Sequence, residues 1–313
     1  MSSLGGSRPR IGVLGSANMD LVVTVDRAPK LGETVTGRTF HTVPGGKGAN
    51  QALAAARAGG DVTFLGAVGA DAYGEQIRAL LAADGIDVTG LASSTEPTGT
   101  AHIVVDARGG NSIVVVPGAN GTVTELTEAH RAAIAGVGTL LLQLELPLAV
   151  VAEAAAFARA AGVRTVLTPA PASPLPAGLL GSVDLLVPNE HEVAVLAGDL
   201  PGPTSPHAAA MALSGGTTEV LVTLADRGSA YYPADGEPVV VPAVEVEAVD
   251  TTAAGDTFVG AFAVAQGEGR PIADAMRWAS AAAALSVQRL GASTSMSRRV
   301  EIDELYQSAA EQA

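Results

Sequence analysis

"VDTTAAGDTFVGAF", residues 249–262, reads as a strand end, a tight turn of small residues and the start of a helix. It carries one carboxylate, Asp256, just inside the turn. Aspartate at a helix start is most often a cap, because its oxygens accept from free backbone N–H groups. Here the turn favours another use. Ala253, Ala254 and Gly255 leave those N–H groups uncovered, and the helix dipole adds partial positive charge at the same place. Such a terminus binds phosphate. An acid beside an anion hole is better explained as a base for the group that meets the phosphate than as a second anion for the hole.

Outward from this turn, short β-rich runs alternate with Ala-rich helical stretches. Strands are predicted at 10–16, 61–69, 139–145, 164–169, 183–189 and 219–224. Helices are predicted at 48–60, 74–85, 148–162, near 189–197 and 205–214, and at 256–267, 271–289 and about 298–309. Continuous apolar strands alternating with helices imply a mostly parallel sheet covered on both faces, a three-layer α/β/α body. Two segments break the rhythm. Residues 20–46 hold two β-type stretches and no helix, and 99–118 read as a hairpin turning at "ARGGN". Both alternate apolar and polar residues, as a half-exposed sheet does. Together they are read as a small β-sheet lid on a single α/β domain spanning 1–313.

Composition narrows the function. The chain has 313 residues and no cysteine, which excludes disulfides and thiolate metal sites. A formal net charge of −14 argues against a nucleic-acid partner. The start, "MSSLGGSRPRIGVLGS", lacks the apolar core of a signal peptide, and the apolar region around 136–163 is broken by Glu145, Pro147 and Glu153. A cytoplasmic protein with no membrane partner is expected. The five histidines form no H-x-x-x-H pair, so a His-based metal site has little support. No G-x-x-x-x-G-K-[ST] is present, and no G-x-G-x-x-G follows the first strand; both P-loop chemistry and an NAD enzyme lose their main support.

Two further constellations carry chemistry. "VPGGKGANQALAA" (43–55) sits where a lid strand returns to the body and a helix begins, with Lys47 and Asn50 as donors beside the helix terminus. Its glycines let backbone approach a ligand closely; a Gly-rich turn with an exposed lysine is the plainer reading. "GSANMD" (15–20) follows the first strand. Asn18 and Asp20 lie two apart and so face one side of an extended chain. They would clamp vicinal hydroxyls, although Asn and Asp are also ordinary turn residues.

"GGKGANQA" (45–52) and "DTTAAGDTF" (250–258) resemble the two signatures of the ribokinase family of carbohydrate and nucleoside kinases. The resemblance runs nearly end to end and in order, through "LGSANMD" (14–20), "GETVTG" (32–37), "GADAYG" (69–74), "LQLELP" (142–147), "TPAPA" (168–172), "VPNEHE" (187–192), "TLADRG" (223–228) and "LGAS" (290–293). It implies that family's α/β fold and ATP-dependent phosphorylation of a sugar. "GGKGANQA" and "LGSANMD" are fuller than the family minimum and point to D-ribose, phosphorylated at its 5-hydroxyl.

By the same resemblance Asp256 is the catalytic base and Ala253, Ala254 and Gly255 form the anion hole. Asn18, Asp20, Gly46, Lys47, Gly48, Asn50, Glu145 and Asp256 match the sugar contacts. Asn189, Thr223, Leu224, Ala225, Asp226, Arg227, Gly228, Gly255 and Ser280 match the nucleotide site, and Glu192 the region of Mg²⁺. Asp250, Thr252, Ser286, Arg289, Gly291 and Ser295 match a loop for an activating K⁺, mostly through backbone carbonyls. Without the resemblance, Glu192 reads as a helix-face acid and Asp250 as a strand-end turn residue. Rivals are a family kinase acting on deoxyribose, a nucleoside or a ketohexose, and a catalytically weak sugar-binding relative. The family's nucleotide loop reads T-L-G-x-x-G; Ala225 replaces the glycine and Asp226 adds charge. The loop is therefore expected to sit differently and to hold ATP loosely, the more so because Ser280 replaces a larger polar group near the adenine. His102, in the lid hairpin, has no assigned role. Apolar lid residues such as Val22, Val35, Val104 and Val114 need cover, so a homodimer through the lids is expected.

Overall fold

The computed structural model of the chain describes residues 7–176, 178–196, 198 and 218–311. The strands of the large sheet are β1 (Arg10–Leu14), β4 (Asp61–Gly69), β5 (Leu91–Ser94), β8 (Thr139–Leu142), β9 (Arg164–Leu167), β10 (Leu185–Leu186), β11 (Glu219–Thr223), β12 (Ser229–Tyr232) and β13 (Val239–Val241). A small sheet holds β2 (Asn18–Thr24), β3 (Thr39–Gly45), β6 (Gly99–Val105) and β7 (Asn111–Val116). The helices are α1 (Lys47–Arg57), α2 (Ala72–Ala83), α3 (Glu128–Ala135), α4 (Leu148–Ala160), α5 (Glu190–Leu196), α6 (Ala254–Gly267), α7 (Ile272–Val287) and α8 (Arg299–Glu311). Among the described residues no helix is long and apolar enough to cross a membrane.

The large sheet runs β13-β12-β11-β10-β9-β8-β1-β4-β5. It is parallel except where β12 pairs antiparallel with β11 and β13. Period-2 alternation sorts its side chains. Ile11 and Val13 of β1 enter one buried cluster with α1, α6 and α7, while Leu14 enters another with α4. The sheet is thus buried on both faces, which is why its strands read as continuous apolar runs. Three pieces escape the sequence pattern. β5 is four residues with two exposed, α3 is eight residues, and β12–β13 is an antiparallel edge hairpin whose tyrosines give no helix-alternating signal. The helix predicted near 205–214 lies outside the described residues.

The small sheet forms as predicted from its two segments, in the order β3-β2-β6-β7. Register settles what it presents. Asp20 lies opposite Val43 and Ala101, and Val22 opposite His41 and Ile103, so these side chains share a face with Asn18. His102 pairs with Leu21 and Val114 on the other face. Its ring nitrogen Nε2 is 3.1 Å from Thr100 Oγ1. His102 is therefore turned away from the side that carries Asp20, which the sequence alone left open.

Glycines set how closely the pieces meet. A Cβ on Gly48 would lie 2.6 Å from the Gly15 carbonyl carbon and from Ser16 N. A Cβ on Gly260 would lie 2.6 Å from Ala54 Cβ, 2.7 Å from the Gln51 oxygen and 2.8 Å from Ala55 N. The first contact seats the start of α1 on the end of β1; the second lays α6 directly on α1. Gly260→Ala is expected to force α6 off α1 and to lower stability by about 1–3 kcal/mol, the cost of overpacking a close-packed core. Thermal unfolding by circular dichroism checks it; an unchanged melting temperature would show that the two helices yield freely.

Candidate active site

The free N–H groups of α1 are claimed by distant partners. Its N-cap, Gly46, sits at φ 90° and has no side chain to offer. Glu145, from the loop after β8, accepts from Lys47 N through Oε2 at 3.0 Å, and the same oxygen accepts from the Ser16 hydroxyl. Ser16 in turn accepts from Gly48 N on its hydroxyl at 3.3 Å and from Ala49 N on its carbonyl at 2.9 Å. Glu145 thus caps α1 from 98 residues away, which brings it beside Lys47. Gly48, predicted as a sugar contact, is the close-approach point against β1.

The start of α6 is the opposite case. Its N-cap, Ala253, adopts the left-handed conformation at φ 59° and no side chain caps the first turn. Nothing stands within 4 Å of where a Gly255 Cβ would be. A terminus without a side-chain cap is what an anion needs; the residues predicted as the anion hole lie here, with Ala254 N donating to the Thr251 carbonyl at 3.3 Å. Asp256 is buried one residue further on. Its Oδ2 accepts from Asn50 Nδ2 at 3.2 Å, and its Oδ1 from Gln51 Nε2 at 3.0 Å.

Lys47 holds the acids of this region together. Burial alone would lower its ammonium, but Asp256, Glu145, Glu192 and Asp20 outweigh it and hold the lysine above its usual range. Burial raises the Asp256 carboxyl above the usual carboxylate range against the pull of Lys47, Gln51 and Asn50. Asp20 is pushed up to about 7 by burial, with Glu145 and Asp256 adding to the rise and Lys47 opposing it. Asn18 is buried, and its Oδ1 accepts from Asn120 Nδ2 at 2.7 Å. Asn120 also accepts from Ala17 N at 2.9 Å. The segment leaving β7 thereby clasps the segment entering β2 and fixes which end of the Asn18 amide is already occupied.

Of the predicted nucleotide residues, Asn189 and 223–228 lie at the ends of β10 and β11, while Gly255 starts α6 and Ser280 lies within α7. Asn189 bridges to Thr223. Asn189 and Glu192 cap one another at the start of α5: Asn189 N donates to Glu192 Oε2 at 2.8 Å, and Glu192 N to Asn189 Oδ1 at 2.9 Å. The N-x-x-E pattern is therefore a capping box, and Glu192 is buried, not a free helix-face acid. Burial raises its carboxyl, opposed by the Asn189 N–H and by Lys47. The turn at 224–228 corrects one expectation. Ala225 takes up φ 52° and the backbone closes from Leu224 N to the Gly228 oxygen at 2.8 Å. The loop keeps a glycine-like shape at the cost of a left-handed alanine, on the order of 1–2 kcal/mol. Asp226 is exposed, Arg227 pairs with Glu190, and Ser280 is buried in α7.

Asp250 organises the predicted cation loop. Its Oδ1 accepts from Thr252 N at 2.9 Å and from the Thr252 hydroxyl at 2.6 Å, and its Oδ2 from Gly291 N at 2.8 Å. Burial would raise its carboxyl, but these bonds win and lower it. Ser286 and Ser295 are wholly buried, their hydroxyls donating to the Ala283 and Ala292 carbonyls at 2.8 Å. Arg289 pairs through its side chain with Glu301. Both oxygens of Asp250 are thus engaged, by two backbone N–H groups and one hydroxyl, and tie the turn before α6 to the loop after α7. Among the described residues no three acids or histidines are grouped to cage a metal ion.

Asn120 escaped the sequence reading, and so did three further participants. Gln51 and Gln143 are buried, and the second donates to the first through Nε2 at 2.6 Å. Arg57, from the end of α1, donates to the Ser293 and Met296 carbonyls of the cation loop while paired with Asp84 at 2.7 Å. The available signal was a polar residue inside an apolar run, Gln51 among alanines and Gln143 among leucines.

The model of the pfkB family of carbohydrate kinases matches residues 8–299. The chain is 44% identical over 296 residues to a ribokinase of Bacillus subtilis, covering 94% of this chain and 98% of that one. It is 40% identical over 304 residues to a ribokinase of Schizosaccharomyces pombe, covering 93% and 96%. The solved structure of Arabidopsis thaliana ribokinase complexed with ribose and ATP superposes with a TM-score of 0.89 at 36% identity, covering 96% of this chain and 99% of that one.

Asp20 generates a test of these electrostatics. In the unfolded chain its carboxyl ionises near 3.8, and in the folded chain near 7. Between those values the folded state holds the extra proton, so Asp20 makes stability fall as pH rises from about 4 to about 7. Asp20→Asn is expected to lose that fall and to gain on the wild type between pH 5 and pH 8, by an amount on the order of a few kcal/mol. Urea unfolding at the two pH values measures the gap; a gap equal at both would show that Asp20 ionises normally.

Proposed function

The chain belongs to the pfkB family of carbohydrate kinases, and on that footing we propose that it transfers the γ-phosphoryl group of ATP to the 5-hydroxyl of D-ribose, giving D-ribose 5-phosphate and ADP. It is an ATP-dependent sugar kinase. One juxtaposition carries the reading of the site: a buried carboxylate at the start of a helix without a side-chain cap, with a half-buried lysine and further acids around it.

In this reading Asn18, Asp20, Asn50, Glu145 and the backbone at Gly46 take the sugar's hydroxyls. Asp256 accepts the proton of the 5-hydroxyl as that oxygen bonds to the γ-phosphorus and the bond to ADP breaks. The N–H groups around Ala254 and Gly255 meet the charge of the transferring group, and Lys47 adds its own. Positioning and electrostatics then supply most of the catalysis, as phosphoryl transfer requires. Mg²⁺ arriving with the nucleotide neutralises phosphate charge; Glu192, beside Asn189 and within reach of the Lys47 field, is the acid this chain offers toward it. The turns at 223–228 and Ser280 receive the nucleotide. The loop of Asp250, Thr252, Ser286, Arg289, Gly291 and Ser295 would hold K⁺, and because Asp250 lies in the same turn as Ala253 a cation there would steady the anion hole. The enzyme works where ATP is, in the cytoplasm, as a single α/β kinase domain.

The small sheet is its lid and its dimer surface. Every residue of β7 is exposed. Ile113, Val114, Val115 and Val116 form an apolar edge that a lone chain leaves in water, and Phe40 is exposed on β3 at the opposite edge. Such an edge invites a second copy. Val22 and Val104, expected from the sequence to need cover, are only partly exposed, so β7 carries the surface.

Ribose-dependent ADP formation is the direct experiment, run on the wild type and on Asp256→Asn, in K⁺ and in Na⁺. The wild type is expected to turn over with ribose and faster in K⁺. Asp256→Asn keeps the shape and cannot accept the proton, so its rate falls by about 10²–10⁴-fold while ribose binding persists. Turnover with another sugar alone, binding without ADP, or an active Asp256→Asn would each overturn the reading. Light scattering on Ile113→Asp tests the surface: the wild type is expected as a dimer and the variant as a monomer, and equal masses would remove β7 from the interface.

A further inference from the structure

Gln51 is wholly buried in the first turns of α1, next to Asn50, in a helix face otherwise made of alanine. Its Nε2 donates to Asp256 Oδ1 at 3.0 Å and to Thr168 Oγ1 at 3.1 Å, and its Oε1 accepts from Gln143 Nε2 at 2.6 Å. The direction of each bond follows from the group at the end of the chain. An ionised carboxylate only accepts, so the Gln51 amide must turn its nitrogen toward Asp256. Its oxygen then faces Gln143, which must present a nitrogen. Reversing either glutamine alone would set oxygen against oxygen or nitrogen against nitrogen across their contact and lose that bond; in the sense observed, Gln143 Oε1 is left buried without a partner.

We propose that Gln51 is a positioning residue for Asp256, fixing the plane and the proton-accepting form of its carboxylate, and that Gln143 locks Gln51 in the required sense. The inference rests on Asp256 being the base. Asn50 holds Oδ2 and Gln51 holds Oδ1, so the carboxylate is gripped on both oxygens by consecutive residues of α1. The grip opposes the effect of burial, because a bond donated to the charged form favours that form. Gln51 thereby keeps a buried base ionised before the sugar arrives. The charged groups that also act on Asp256 are Lys47 on α1, Glu145 after β8, Asp20 on β2 and Glu192 on α5. None of them is altered when either glutamine is replaced.

The test is kcat against pH for ribose-dependent ADP release in Gln51→Met, Gln143→Met and the double variant, with ribose affinity from calorimetry. Methionine keeps the volume and removes the donor. Gln51→Met is expected to lower kcat at neutral pH by about 10–100-fold, less than loss of the base itself. The acid limb of its profile is expected to move up by about one pH unit, with ribose affinity within about three-fold of wild type. Gln143→Met is expected to shift the limb in the same direction by less. Because Gln143 acts through Gln51, the double variant is expected to match Gln51→Met, a failure of additivity that marks a chain. Losses that are equal at every pH, additive losses, a loss confined to ribose affinity, or a Gln51→Met rate within two-fold of wild type would each overturn the proposal. If Gln51→Met does not fold, the pH profile of Gln143→Met decides; if neither folds, the pair is a folding element and the proposal fails. A wild type that releases no ADP with ribose, or an active Asp256→Asn, would instead defeat the functional reading and is told apart by those two controls.

Discussion

The contact between α1 and α6 is the constraint on which the site depends. α1 brings Lys47, Asn50 and Gln51; α6 brings the open terminus and Asp256. The two meet because Gly260 offers no side chain where the Gln51 carbonyl and Ala54 approach, and because both helices are rich in alanine. A second glycine, Gly48, seats the start of α1 on the end of β1. The acids are then placed by backbone geometry that tolerates no added methyl group, and the interior is too densely packed to absorb one without movement.

Two helix termini at the same edge of the sheet have opposite fates, and the difference is one of hydrogen bonds. At α1 the free N–H groups are consumed by Glu145 and Ser16, so Glu145 is a cap as much as a sugar contact. At α6 no side chain caps the first turn, and Ala254 N bonds only locally, to the Thr251 carbonyl. Between the termini one half-buried lysine faces four buried or half-buried acids. Such a cluster is costly without its ligand, because desolvated like charges repel. The cost is carried by the folded chain at Asp20, whose carboxyl is driven up to about 7, and it is offset at Asp256 by amide donors that favour the ionised form.

Strain sits in the same places. The non-glycine residues at positive φ among the described residues are Ala225 and Ala253. One lies in the turn read as nucleotide-binding and the other at the anion hole. Left-handed alanines are retained where surrounding structure over-determines the backbone, and here the surrounding structure is the Thr223–Ser229 pairing on one side and the start of α6 on the other.

The sequence by itself determined the layered α/β body, because fully buried parallel strands leave uninterrupted apolar runs and the helices between them leave a different period. It also determined the split small sheet, from alternation in 20–46 and 99–118, and it singled out Asp256, Lys47 and Asn18 as candidates, because they sit in turns whose glycines and alanines announce close backbone approach. It did not reach β5, α3 or the β12–β13 edge, which are short or half-exposed and carry weak periodicity. Only the tertiary structure decided the roles of Gln51, Gln143, Asn120 and Arg57, since each acts on a residue far along the chain. Only it turned His102 away from Asp20, by strand register, and made Glu192 half of a capping box. Local pattern records what a residue is next to in the chain; hydrogen-bond direction, burial and register depend on what folding brings against it.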